Sequence, residues 1–177
     1  GIVILFPRDI TLDAYKEVIE YETIWTGYRN TIIYTLVGTA INMVLTVCGA
    51  YPLSRKDFMP RNFFMILFMI TMYFSGGLIP TYLVVNRLNL VDTIWAMVIP
   101  NAVSMFNIII TRTYFVNSIP GELFEAAQLD GANTAQYLFK VVLPLSKPIL
   151  AVIVLFYAVG HWNDFYSGLI YVNSQEL

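Results

Sequence analysis

Long apolar runs separated by short polar stretches are the main pattern of this 177-residue sequence. A helix rises about 1.5 Å per residue and the hydrocarbon core of a bilayer is about 30 Å thick, so a span needs about 20 apolar residues. Four runs reach this length, at residues 31–53, 62–85, 93–111 and 141–160. The pattern therefore predicts an all-α integral membrane protein with a bundle of four transmembrane helices.

The second apolar run contains helix-breaking residues at its centre. Ser75, Gly76 and Gly77 are followed by Pro80, which predicts a kinked or locally unwound helix. Such a break is tolerated in a membrane only where protein or water satisfies the freed backbone groups. The prolines of the fourth run, Pro144 among them, fall in its first turns, where proline costs least.

The composition is typical of a membrane protein, and the charge distribution argues against one class of partner, nucleic acid. Hydrophobic residues make up 58% of the chain and charged residues 12%, and the mean hydropathy is +0.66. The ten cations are dispersed over a chain of net charge −2, so no nucleic-acid partner is expected. Cys48 is the lone cysteine and cannot form an intramolecular disulfide. The sequence opens with Gly1 and has no signal pattern, so we expect a segment of a longer protein.

Cations are unevenly distributed between the predicted loops, which predicts the orientation of the chain. The loop between spans two and three carries only Arg87. Six cations flank or occupy the other two loops, namely Arg55, Lys56, Arg61, Arg112, Lys140 and Lys147. Those two loops are therefore predicted to be cytoplasmic and both ends of the segment extracytoplasmic. Residues 1–30 are predicted to hold a short amphipathic outer helix capped by Thr11, and residues 166–177 to begin an outer loop.

The cytoplasmic loop at residues 112–140, within a membrane core at residues 31–165, is too long for a simple turn. Ser118 is predicted to cap a first helix that has Glu125 near its positive end. That helix should stop at Asp130 and Gly131, because glycine readily adopts a left-handed helix terminus. A second helix is predicted from about Thr134 to Val141, capped by Asp130 or Asn133. The loop is thus predicted to be a helix-turn-helix at the membrane surface.

The residues of this loop carry a family resemblance. Glu125-Ala126-Ala127, Gly131, Val141 and Leu143-Pro144 keep the spacing of the EAA loop in MetI-like permeases of binding-protein-dependent ABC importers. Val141 stands where the family pattern has Ile. Glu-Ala-Ala alone is also common in ordinary amphipathic surface helices, so the resemblance rests on the spacing, the loop position and the flanking residues.

Three further segments resemble the carbohydrate branch of this family, which includes permeases for oligosaccharides. They are Tyr28-Arg29-Asn30-Thr31, Ser118-Ile119-Pro120 and Gly160-His161-Trp162-Asn163-Asp164. The family has a core of six spans, so the chain resembles a fragment that lacks the first and last of them.

The resemblance implies a multi-pass permease subunit in a bacterial inner membrane that forms part of a carbohydrate pathway. Its implied partners are the lipid bilayer, a second permease, two cytoplasmic ATP-binding subunits and an extracytoplasmic solute-binding protein. No cofactor of its own and no enzymatic activity are expected, because ATP and Mg²⁺ would be held by the ATPases. Glu125 would contact an ATPase, Ala126 and Ala127 would pack in its cleft, and Gly131 would form the turn. The full set assigned to docking is Glu125, Ala126, Ala127, Asp130, Gly131, Val141, Leu143 and Pro144.

Polar residues within or at the ends of the spans are candidates for the translocation pathway. They are Asn42, Asn101, Asn107, Trp162 and Asn163. The asparagines can bind sugar hydroxyls or can join one helix to another. The residues at the end of span four can gate the pathway or anchor the helix at the interface. No metal site is expected, because His161 and Asp164 supply only two ligands.

Other functions fit the sequence less well. The same family also allows another small solute, such as an amino acid. A membrane-embedded enzyme would need paired acids or a nucleophile with its base, but the four predicted spans contain no Asp or Glu. A channel or secondary transporter would be expected to show intramembrane charges or an inverted repeat, and neither is visible.

Overall fold

The computed structural model describes residues 13–173, and within that range every regular element is a helix. Helix α1 spans Asp13–Glu20 and is followed at once by α2, Glu22–Ser54. The indole of Trp25 donates a hydrogen bond to the Ile19 carbonyl over 2.8 Å, which ties the two helices together. The proposed cap Thr11 lies outside the described residues. At 33 residues α2 is about 50 Å long, more than a hydrocarbon core requires.

The second apolar run is broken where the sequence predicted. Helix α3 spans Arg61–Tyr73 and α4 spans Leu78–Arg87, and the two are bent by 111°. Gly77 directly before α4 has φ of +83°, a conformation that residues with a Cβ rarely adopt. The glycines therefore permit the sharp turn between α3 and α4.

The third apolar run is not one helix, contrary to the prediction for residues 93–111. It contains α5, Ile94–Val98, and α6, Met105–Ser118, with a non-helical break at residues 99–104. Pro100 has no N–H and its ring clashes with a helical carbonyl four residues earlier, which explains the break. The Ser104 side chain accepts a hydrogen bond from the Asn107 N–H and caps α6. Because α6 continues to Ser118, the first residues of the predicted loop are helical.

The rest of the chain consists of short helices around one long one. These are α7, Glu122–Leu129; α8, Thr134–Tyr137; a π-helical turn, Leu138–Val142; α9, Leu143–Leu145; α10, Lys147–Trp162; and α11, Phe165–Tyr171. The segment Thr134–Leu145 and α10 are bent by 82°. The predicted fourth span is therefore bent, and its long helix α10 begins at Lys147, with Pro148 in its first turn.

One helix among the described residues, α2, is by itself long and apolar enough to cross a membrane. Counting each bent pair as one span raises the number to three, against the four spans predicted. The difference arises in the third run, where the break at residues 99–104 divides the apolar residues between α5 and α6.

Helix α2 is the centre of the bundle and packs along both α10 and α6. One apolar cluster includes Ala50, Ile108 and Phe115, and another is built on Ile149 and Ile153 of α10.

Helix α11 lies where the sequence predicted the start of a loop. The Asp164 carboxylate accepts a hydrogen bond from the Ser167 N–H and caps it. The Tyr171 ring is buried and stacks on Tyr82 at 6.1 Å, which holds α11 beside α4 and α5.

Candidate functional site

The predicted cytoplasmic loop folds as two short helices hinged at a glycine. Helix α7 covers the Glu-Ala-Ala sequence and ends with Asp130 as its C-cap, and Gly131 has φ of +75°. This confirms the predicted stop at Asp130 and Gly131. The predicted cap is wrong, because Ser118 is the last residue of α6 and Gly121 occupies the N-cap of α7 without a side-chain hydrogen bond.

The second half of the loop is held by a reciprocal cap. The Asn133 side chain accepts from the Gln136 N–H over 2.8 Å, and the Gln136 side chain accepts from the Asn133 N–H over 3.0 Å. This confirms Asn133, one of the two candidates, as the cap. Helix α8 then passes into the π-helical turn that includes Val141. Local hydrogen bonds therefore fix the start of the segment that runs from Gly131 to α10.

One face of α7 is anchored to the rest of the molecule. The Phe124 ring lies edge-on to the Tyr137 ring at 5.1 Å, and the Arg55 guanidinium lies 3.2 Å from the Phe124 ring centroid. Ala127 packs against the apolar cluster that contains the buried Tyr137. The Tyr51 hydroxyl donates to the Thr134 carbonyl at 3.5 Å and joins α8 to α2.

The other face of α7 is open. Glu125, Ala126 and Asp130 are exposed, and Leu129 is 90% exposed. An exposed leucine at the end of an anchored helix is a suitable contact for another protein.

The remaining residues assigned to docking differ in their surroundings. Val141 packs against the apolar cluster, Leu143 is half-buried and Pro144 is exposed. The structure thus divides the predicted set into two parts. The exposed part is Glu125, Ala126, Asp130, Gly131 and Pro144, and the packed or half-buried part is Ala127, Val141 and Leu143.

A cleft of about 520 Å³ lies behind α7, between the ends of α2 and α6. Four cations line it, namely Arg55, Lys56, Arg61 and Arg112. Two carboxylates, Asp57 and Glu125, line it as well. The Arg55 Nε donates to Asp57 Oδ1 over 3.0 Å. Partial burial acts to raise the pKa of Asp57, but the hydrogen bonds from Arg55 and its own backbone N–H, with the Arg55 charge, lower that pKa overall.

Buried polar contacts join α2, α10 and the break in the third run. The Asn42 amide donates to the Asn101 carbonyl over 3.1 Å, and its oxygen lies 3.3 Å from His161 Nε2. Asn42 is 1% exposed, so these contacts replace water. Asn42 therefore joins α2 to α10, which is one of its two predicted roles, and its solute role stays a prediction.

A second contact of the same kind lies one turn along α2. The hydroxyls of Thr46 and Tyr157 share a hydrogen bond of 2.7 Å, and the Ser104 N–H donates to the Tyr157 hydroxyl over 3.2 Å. Helix-breaking backbone in the third run therefore finds its partners on α2 and α10, as a low-dielectric environment requires.

The other pathway candidates lie on α6 and at the end of α10. Asn107 is buried on α6. Trp162 and Asn163 line an open cleft of about 550 Å³ at the end of α10, together with Asn30 and Tyr34. The Asn163 amide donates to the Val159 carbonyl over 2.8 Å. His161, which contacts Asn42, lines the same cleft, so the end of α10 adjoins the Asn42 contact. The pathway role of the five candidates stays a prediction.

Comparison with known proteins assigns the fold to a family. A family model described as "Binding-protein-dependent transport system inner membrane component" matches residues 23–177. The chain belongs to this family. It is a family of transport components of the inner membrane and not of enzymes.

Curated relatives and a solved structure agree with the assignment. Protein LplC of Bacillus subtilis (strain 168) is 45% identical over 169 residues, which are 96% of this chain and 57% of LplC. The polygalacturonan/rhamnogalacturonan transport system permease protein YtcP of the same strain is 44% identical over 170 residues, 96% of this chain and 59% of YtcP. The crystal structure of a bacterial ABC transporter involved in the import of the acidic polysaccharide alginate contains a similar chain. Its TM-score is 0.92 at 40% identity, over 99% of this chain and 62% of that chain.

The three similar proteins are longer than this chain. The chain spans 57 to 62% of the length of these three proteins.

Sequence reasoning missed Thr46, Ser104 and Tyr157, and it assigned His161 no partner. A signal existed, because residues 42 and 46 on α2 and residues 157 and 161 on α10 are polar pairs four apart, which lie on one helix face. Across the described part of the chain, no three His, Cys, Asp or Glu side chains are placed to hold a metal ion.

Proposed function

We propose that this chain is the central part of a permease subunit in an ATP-driven ABC importer, and that α7 couples it to a cytoplasmic ATPase. The observation that carries the proposal is the division of α7 into two faces. Phe124 and Ala127 fix the helix to the bundle, while Glu125 and Ala126 remain accessible. A force applied to the exposed face would be passed to α2 through Arg55 and to α10 through the segment that follows Gly131.

The carbohydrate part of the proposal is supported by the printed functions of similar proteins. YtcP is a polygalacturonan/rhamnogalacturonan permease and the similar crystal structure comes from an alginate importer. We therefore propose an oligosaccharide as the solute and an amino acid as the alternative. The proposed partners are a second permease, two ATP-binding subunits that hold ATP and Mg²⁺, and an extracytoplasmic solute-binding protein.

Charge reversal on the exposed face of α7 tests the coupling. In the full-length permease, assembled with its partners in proteoliposomes, Glu125→Lys should abolish ATP-driven uptake. Gly131→Asp should do the same, because it places a further carboxylate beside Asp130 on the exposed surface. Membrane insertion should be unchanged. Glu20→Lys is the matched control, an exposed glutamate on α1. Normal uptake by Glu125→Lys and Gly131→Asp would refute the docking role.

Uptake by the unaltered complex tests the solute. A radiolabelled oligosaccharide should accumulate and should be displaced by unlabelled oligosaccharides but not by amino acids. Accumulation of labelled amino acids alone would favour the alternative.

A further inference from the structure

The cleft behind α7 has the size and the charge of a ligand site. Its volume of about 520 Å³ falls within the range of about 300–1,000 Å³ typical of small-molecule pockets. Its four cations outnumber its two carboxylates. Because both carboxylates are in the lining, the cleft has an excess of two positive charges, which favours an anion.

The hydrogen bonds of the cleft show which of its cations are not paired with a carboxylate. Arg55 is paired with Asp57. Arg61 donates from Nη1 to the Arg55 carbonyl at 3.5 Å, and Arg112 donates from Nε to the Leu53 carbonyl at 3.2 Å. Both acceptors are neutral, and each described bond uses one of the five N–H groups of a guanidinium. Arg61 and Arg112 therefore have donors and charge for a phosphoryl group, which guanidinium binds in bidentate fashion.

Much of the remaining lining is apolar. Phe115, Val116 and Ile119 contribute it from the end of α6, and Pro120 continues it towards α7. A free inorganic anion gains no binding free energy from contact with apolar side chains, whereas the glycerol and acyl carbons of a phospholipid do gain it. The cleft thus combines cations with apolar side chains, as a lipid headgroup site at a membrane surface requires.

We propose that this cleft binds the phosphoryl headgroup of an anionic phospholipid from the cytoplasmic leaflet. Arg61, Arg112 and Lys56 would contact the phosphate, and the end of α6 would contact the glycerol and the first acyl carbons. The inference rests on the proposed cytoplasmic position of α7. A lipid bound there would support the inner face of α7 and make coupling dependent on the lipid composition.

The test measures lipid retained by the full-length assembled transporter after purification in detergent. Mass spectrometry should find phosphatidylglycerol retained over phosphatidylcholine in the unaltered complex. In Lys56→Gln/Arg61→Gln the retained phosphatidylglycerol should fall about tenfold, since each cation near an anionic headgroup adds to binding. Arg29→Gln/Arg87→Gln is the matched control, which removes two exposed cations outside the cleft and should retain lipid normally.

The single variant Lys56→Gln provides a second test if the double variant misfolds. It should lower the retention of phosphatidylglycerol by a smaller factor. Equal retention in all variants, or no preference for phosphatidylglycerol, would overturn the inference. Release of the lipid by millimolar inorganic phosphate, with phosphate bound in its place, would reassign the cleft to a soluble phosphate ligand and also overturn it. Co-purification of the ATPase is scored in parallel, so lost retention with normal docking is separable from failure of the proposed coupling.

Discussion

Gly38 allows α2 and α10 to approach closely at the level of the buried polar contacts. A methyl group built at position 38 would overlap the imidazole ring of His161. That ring lies beside the Asn42 oxygen, so moving it away would break a buried contact. The absence of a side chain at position 38 therefore preserves the contacts that Asn42 of the same helix makes with His161 of α10 and with the Asn101 carbonyl.

Gly38→Ala should destabilise the transporter. Overpacking a tight contact costs about 1–3 kcal/mol, and an unpaired Asn42 oxygen would add to it. Gly27→Ala, in the same helix with open space around its Cβ, should be neutral or slightly stabilising. The melting temperature of the assembled full-length protein in detergent checks both. Equal melting temperatures for the two variants would show that the His161 ring moves aside without loss of stability.

At the scale of elements, local signals in the sequence predicted local structure well. The Ser75–Gly77 break, the stop at Gly131 and the Asn133 cap depend on residues a few positions apart. The break in the third run had a local signal in Pro100, but the partners that satisfy its backbone are remote. Asn42 is 59 positions from Asn101 and 119 from His161, and no local pattern specifies such pairs.

Helix α11 shows the same limit. Its cap at Asp164 is a local signal, but the ring that holds it belongs to Tyr82 on α4. The Glu-Ala-Ala sequence indicated the exposed face of α7, whereas the basic cleft behind that helix needed the fold to bring Arg55 and Arg112 together.

The anchoring of α7 as an element can be tested without altering its exposed face. Phe124→Ala removes the ring that contacts both Arg55 and Tyr137. Aromatic pairing and cation–π contact are together worth about 1–2 kcal/mol, so uptake should fall about tenfold while Glu125 and Ala126 stay accessible. Phe124→Tyr retains the ring and should transport normally. If Phe124→Ala transports like the unaltered protein, α7 does not depend on this anchor.

At the scale of the whole molecule, the bundle has a packed centre and an open periphery. Helices α2, α6 and α10 contain buried residues, while α3 has none. Phe63 and Ile66 of α3 are more than half exposed. In a membrane protein such side chains face lipid or further transmembrane segments. This agrees with a chain that spans about three fifths of its relatives.

The proposed orientation places two exposed loops in the cytoplasm and one outside. Labelling of single cysteines in these loops can test that orientation. Cys48 is the only cysteine of these 177 residues, so Cys48→Ser in a full-length protein cleared of other thiols gives a clean background. Met59→Cys and Gln128→Cys lie on the predicted cytoplasmic side, and Asn86→Cys lies on the outer side. Met59 is 96% exposed, and Gln128 and Asn86 are exposed as well.

A membrane-impermeant maleimide added to intact cells should label Asn86→Cys and spare the other two variants. Inside-out vesicles should give the reverse, because the cations at positions 55, 56 and 61 hold their loop on the cytoplasmic side. Labelling of all three after detergent solubilisation confirms that each thiol is reactive. Labelling of Gln128→Cys in intact cells would place α7 outside, where no ATPase could reach it, and the coupling and lipid proposals would fail together.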